Sequence, residues 1–163
     1  MMEVKRRALL ALVPDVEREV GPSVSFCSHC GERPASANPS SRVCPSCGLG
    51  LMLQSAADVA PAPGDPFVVL DDSLSVCAVS AAAEMLLATC ETDAVNRHIT
   101  ELLVPADAET NGPANLAVAV TWAARGDEQT RHVVVRPANT FGIRLKARIS
   151  SCGPPKAALV VFD

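Results

Sequence analysis

Four of the seven cysteines stand in two matching frames, Cys27-Ser28-His29-Cys30-Gly31 and Cys44-Pro45-Ser46-Cys47-Gly48. Two thiolates three positions apart converge on one ion when the turn between them is tight. A glycine after the second cysteine lets the backbone fold beneath the ion with its amides facing sulfur. The second frame closes a tetrahedral shell suited to Zn²⁺. Four thiolates leave no open coordination position, so such an ion folds the segment and does not catalyse. His29, between two ligands, is expected to face solvent. A lone C-x-x-C would also suit a thioredoxin-like redox pair, but the βαβ context this needs is absent. Disulfides would require an oxidising compartment. The N-terminus offers Lys5-Arg6-Arg7, a short apolar stretch Ala8–Val13, then Pro14-Asp15 and Glu17-Arg18-Glu19. That is too short an apolar core for a secretory leader, so a cytoplasmic location is expected.

The paired knuckles and the Pro-, Ser- and Ala-rich loop from Glu32 to Val43 resemble the zinc ribbon family, over about residues 24–53. Many ribbons grip nucleic acid through basic loops. Here only Arg33 and Arg42 are cationic within the ribbon. Residues 1–54 carry a formal +1, which four thiolates and one Zn²⁺ bring to about −1. The electrostatic drive toward phosphate is therefore weak. The whole chain agrees: 163 residues with a formal net charge of −4 do not describe a basic coat. Aromatics are 3% of residues, leaving few stacking platforms, and no apolar run is long enough to span a membrane.

The remaining elements divide the chain into an N-terminal helical segment (1–23), the ribbon (24–53), a Pro-rich linker (54–66) and a second domain (67–163). Phe67–Leu70 and Leu74–Val79, separated by Asp71-Asp72-Ser73, read as a hairpin. Ser80 caps a helix over 81–88 whose Ala82, Met85 and Leu86 share a face. A second helical stretch is expected over Asp93–Val104. Asn111-Gly112-Pro113 opens a longer helix that Gly126 ends. Strand patterns follow at Arg131–Arg136, Ile143–Ile149 and Ala157–Phe162, with Pro154-Pro155 in the last turn. The fold class expected is α+β.

That order resembles the PAS family, an antiparallel five-stranded sheet flanked by helices. The likeness rests on "PFVVLDDSLSVCAVSAAAEMLL" (66–87), "NRHITELLVPAD" (96–107) and "KAALVVFD" (156–163), and covers about residues 65–163. It implies sensing through a sheet–helix cavity, or dimerisation and docking. The candidate lining is Val69, Val76, Leu86, Leu103, Leu116, Val120, Val133, Leu145 and Val160; the plainer expectation is that these fill the core, with a small apolar ligand left open. Flavin-adduct photochemistry is not supported, because Asn96-Arg97-His98-Ile99 carries isoleucine at the reactive cysteine's position. Haem is not supported either: residues 113–126 hold no histidine, and His98 and His132 fall outside the long helix. With no tyrosine, a Tyr-held chromophore is excluded.

Trp122 is expected in the core. Arg144, Lys146 and Arg148 line one sheet face, either solvated or facing an acidic segment such as Glu17 and Glu19. Cys77 and Cys152 are expected to pack, and Cys90 to be the most exposed thiol. Its neighbours Glu91 and Asp93 oppose thiolate formation. No nucleophile–base pair, P-loop or open metal site is visible, so an enzyme is not expected. The reading reached is a signalling adaptor, zinc ribbon plus PAS-like module, that binds protein partners or forms a homodimer. The alternative is a transcription-linked ribbon gripping nucleic acid through Arg33, Arg42 and the basic N-terminus.

Overall fold

The computed structural model describes residues 21–35, 41–106 and 115–163. The helical segment expected over 1–23 lies outside them except for its last three residues, and Ser23 opens a strand. The Asn111-Gly112-Pro113 signal also lies outside.

Two sheets are present among the described residues. β1 (Ser23–Cys27) and β2 (Met52–Ala56) form an antiparallel ribbon in the register Ser23↔Ala56 to Cys27↔Met52. β3 (Phe67–Leu70), β4 (Val76–Val79), β5 (Leu103–Pro105), β6 (Arg131–Pro137), β7 (Leu145–Cys152) and β8 (Ala157–Phe162) form a larger sheet in the order β4-β3-β8-β7-β6-β5. Every pairing is antiparallel, and β8 is central. The sheet has six strands, not five, because the helix expected over 93–104 breaks up. α2 stops after Glu91–Ala94, Asn96 turns left-handed (φ 67°), a 3₁₀ turn covers Ile99–Glu101, and Leu103–Pro105 joins β6. Backbone bonds from Val76 N to the Arg97 carbonyl and from Asn96 N to the Val76 carbonyl hold this segment along β4, closing an edge otherwise open to pairing.

The β3–β4 turn is built by Asp71, whose Oδ1 accepts from the amides of Ser73 and Ser75, both at 2.9 Å. α1 (Ala81–Leu87) starts at Ser80, whose hydroxyl accepts from Ala83 N at 3.2 Å and from Phe67 N at 2.9 Å. One serine thus caps the helix and fixes its rotation on β3. Ala83 and Leu87 face inward as a result, whereas Met85, expected on the buried face, is 80% exposed. Ser80→Ala leaves the buried Phe67 amide without an acceptor and is expected to cost about 1–3 kcal/mol. Urea unfolding checks this; a loss within about 0.5 kcal/mol, typical of neutral surface changes, would show that the cap does not hold the helix.

α3 (Leu116–Ala124) is capped by Asn115 and crosses β7 and β8; Gly126, at φ 95°, ends it. With α1 it covers one sheet face, the inner one. There Val68, Val79, Leu103, Val120, Ile149 and Val160 belong to one buried cluster. The ribbon packs on the opposite, outer face. Phe26 and Leu53 join Phe67, Val69, Leu159 and Val161 in a second buried cluster. Phe26 meets Phe67 edge-on, with centroids 5.7 Å apart at 85°. Gln54 and Gly153 exchange backbone bonds of 2.6 and 3.0 Å between the two sheets.

The segment read as a linker, 54–66, therefore begins inside β2, and Val59 and Ala60 are buried. Arg33 clamps it, donating to the Ala60 carbonyl at 2.6 Å and to the Pro61 carbonyl at 2.8 and 3.0 Å.

Candidate metal centre

β1 delivers Cys27 at its end, and residues 28–30 turn so that Gly31 N donates to the Cys27 carbonyl at 3.1 Å. The second knuckle repeats the move, with Gly48 N on the Cys44 carbonyl at 3.0 Å. Both following glycines adopt left-handed backbone, φ 73° at Gly31 and 68° at Gly48, the conformation their place in the motif requires. Ser28 stitches the two knuckles: its amide donates to the Leu51 carbonyl at 2.9 Å, and its hydroxyl accepts from Leu51 N at 3.0 Å.

The four sulfur atoms lie within 4.8 Å of one another, with Cys27 and Cys47 at 3.6 Å and Cys30 and Cys44 at 3.9 Å. A tetrahedron of thiolates about 2.3 Å from a central Zn²⁺ has edges of about 3.8 Å, whereas a disulfide needs about 2.05 Å. The set can therefore hold a metal ion, and its chemistry fits zinc. The amides of His29 and Cys30 point at Cys27 Sγ from 3.3 and 3.5 Å.

Without an ion Cys27, Cys30 and Cys47 do not share one acidity. Burial pushes Cys27 up to about 12 and raises Cys30 as well. At Cys47 burial also opposes ionisation, but hydrogen bonds from the Gly50 and Leu49 amides and from the neighbouring thiols outweigh it, bringing the thiol down to about 6. Thiolates this close repel one another, so one ionises at its neighbours' expense; a divalent cation removes the conflict.

Gly50, outside both motifs, is equally committed. A Cβ there would sit 2.4 Å from Cys27 Sγ and 2.7 Å from His29 N. Gly50→Ala is expected to weaken metal retention at least tenfold, by roughly 1.4 kcal/mol or more. Competition with a chromophoric chelator measures it, and unchanged retention would show that the knuckle yields without cost. The only sequence signal for this was a second glycine two positions past Gly48.

His29 does not face open solvent as expected. Its carbonyl accepts from Ala81 N at 2.9 Å, and its Nδ1, buried without a hydrogen bond, lies 3.8 Å from Glu91 Oε2. The first knuckle thus leans on the start of α1 and on α2.

Of the nine candidate cavity residues, Val76, Leu103, Leu116, Val120, Val133 and Val160 lie in the inner cluster, with Leu86 and Leu145 packed against it. Val69 does not join them; it points to the outer face beneath the ribbon. Trp122 is 44% exposed, with the Arg131 guanidinium 4.3 Å from its ring centroid. Arg131 is itself buried and paired with Asp127 at 2.7 Å, so the tryptophan shields an ion pair and does not fill the core. Cys152 is buried and Cys90 exposed as expected, but Cys77 is exposed, because the β3–β4 register shift beside Leu70 leaves it unmatched in the ladder. Although exposed at the surface, its thiol is raised by the partial desolvation that the chain around it imposes and by the Asp71 carboxylate, which opposes reactivity. His98 caps the 3₁₀ turn through its ring, and His132 is exposed on β6. Both ribbon arginines are committed to backbone carbonyls, Arg33 as above and Arg42 to Pro154. No helix among the described residues is long and apolar enough to cross a membrane.

Comparison with solved structures finds similarity to the PAS domain of nitrogen regulation protein NR(II) from Vibrio parahaemolyticus, at 17% identity over 61% of this chain and 88% of that one, TM-score 0.44. It also finds the PAS domain of an HTR-like protein from Haloarcula marismortui, at 16% identity over 61% of this chain and 84% of that one, TM-score 0.45. No family model and no curated protein matches the chain.

Proposed function

We propose that this chain is a non-enzymatic signalling module, a zinc-clamped ribbon braced on a PAS-like sheet, that works by sensing or by binding protein. The observation that carries the reading is the shared apolar cluster in which Phe26 and Leu53 of the ribbon pack on Phe67, Leu159 and Val161 of the sheet. A ribbon docked this way is a fixed part of the module's surface, and zinc in a closed four-thiolate shell supports folding and leaves no position for substrate. The antiparallel sheet with its flanking helices supports the PAS resemblance, with β5 added as a sixth strand. The candidate cavity residues on the inner face are buried together, which supports the plainer reading that they form core.

Arg33 and Arg42 are exposed and keep their charge while donating to backbone carbonyls, but two cations give only a weak drive toward phosphate, so the nucleic-acid alternative stays second. Native mass spectrometry of protein purified from its host tests the proposal. One zinc per chain with a dimer or a stoichiometric protein partner is expected. A strict monomer without zinc or any partner would reject it.

A further inference from the structure

On the β4 side the ribbon and the sheet are parted by a cleft of about 630 Å³, a size within the range of small-molecule sites. Leu49, Leu51 and Leu53 line it from the ribbon, Val69 and Ala78 from the sheet. Leu53, Val69 and Ala78 are buried and belong to the cluster beneath the ribbon, so the floor is apolar. Leu49 and Leu51, by contrast, are 74% and 48% exposed. Leucines gathered round a concave apolar floor mark a binding surface, whereas scattered ones do not.

The charges along the cleft are unevenly placed. Leu70 pairs with both Val76 and Ala158, so Asp71 and the β7–β8 turn share one end. Asp71 and Arg42 both line that end and are opposite in sign. Asp71 Oδ1 accepts from the Ser73 and Ser75 amides, and Arg42 donates to the Pro154 carbonyl in the turn. Lys156 lines this end too, but its ammonium lies beside Gly126, where a Cβ would come within 3.1 Å of Nζ. Val76 to Val79 spans about 10 Å of strand, and Glu91 stands at the Val79 end. Its Oε1 accepts from Val79 N at 3.1 Å, and its Oε2 lies 3.8 Å from His29 Nδ1. Among the described residues no lysine or arginine pairs with Glu91. Such a carboxylate beside apolar surface selects for a cation, because shielding from water strengthens the pair.

We propose that this cleft binds a small organic amine with an unbranched apolar body, the body lying on Leu53, Val69 and Ala78 and the ammonium meeting Glu91. The site lies on the sheet face opposite the helices, and the inference stands independently of the signalling role. Titrating the ¹⁵N-labelled full chain with octylammonium tests it, with octanoate as the anion of matching shape. Amide shifts at Leu53, Val69 and Ala78 are expected, and octylammonium should bind about tenfold or more tighter than octanoate, the margin of a charge-assisted hydrogen bond. Glu91→Gln keeps an acceptor for the Val79 amide and should erase that preference. Leu49→Ser, at an exposed position that the fold does not need, should weaken octylammonium by about threefold or more through lost apolar contact. Octanoate binding as tightly as octylammonium would show that Glu91 does not select the ligand and would overturn the proposal. Shifts absent from those three amides, or a preference unchanged in Glu91→Gln, would overturn it as well.

Discussion

Removing with a chelator the ion that Cys27, Cys30, Cys44 and Cys47 would hold is expected to unfold the ribbon and to lower the melting temperature of the whole chain. Structural zinc binding to four-ligand peptides contributes about 10–16 kcal/mol at neutral pH, against a typical domain stability of about 5–15 kcal/mol. The β1–β2 hairpin buries too little to persist alone. Its loss would uncover Phe67, Val69, Leu159 and Val161, so the apo protein should bind a hydrophobic fluorescent dye that the metal-loaded protein does not. The pH dependence has a definite sign. Burial holds the ion-free Cys27 thiol up at about 12, so that thiol carries its proton near neutrality and metal must displace it. Retention therefore strengthens as pH rises and fails as pH falls. Scanning calorimetry with parallel zinc analysis checks both. An unchanged melting temperature after complete zinc loss would separate the ribbon from the fold.

Phe67→Ala is expected to cost about 3–5 kcal/mol, the range for truncating a fully buried phenylalanine. The side chain is 0% exposed, belongs to β3, and carries the edge-on contact with Phe26. Aromatic pairs of that geometry add about 0.5–1.5 kcal/mol beyond buried area. Because the cavity opens between ribbon and sheet, the same change should loosen zinc as well as lower stability. Phe141→Ala is the contrast: at 86% exposure it should shift stability by no more than about 0.5 kcal/mol. Urea titration of both variants tests this, and near-equal effects would mean that the two sheets do not share a core.

How far the sequence reached differs from element to element. The β3–β4 hairpin, the Ser80 cap, the β8 strand and the end of α3 at Gly126 were legible, because each depends on residues close in the chain. The Asp93–Val104 segment departs from the expected helix, since apolar and charged residues there suit a helix only locally. Its path follows instead from backbone bonds to β4 and β6, far away in sequence. The α1 face turned for a similar reason: Ser80 answers to Phe67 as well as to its own helix. Phe67–Leu70 and Ala157–Phe162 are apolar at every position, the mark of strands covered on both faces, and here α1 and α3 cover one face and the ribbon the other.

The sequence by itself picked out the four cysteines that lie together, because ligand type and spacing in two short turns describe a four-thiolate cluster that could hold a metal ion. Only the tertiary structure decided where the shell sits, on the outer face of the sheet, with Gly50 beneath Cys27 and His29 beside Glu91. Spacing within a knuckle is a property of neighbours in the chain, whereas the seat of the ribbon depends on burying Phe26 against Phe67, forty-one positions on. That burial is a non-directional gain in apolar contact which the linear pattern records as hydrophobic residues without naming their partners.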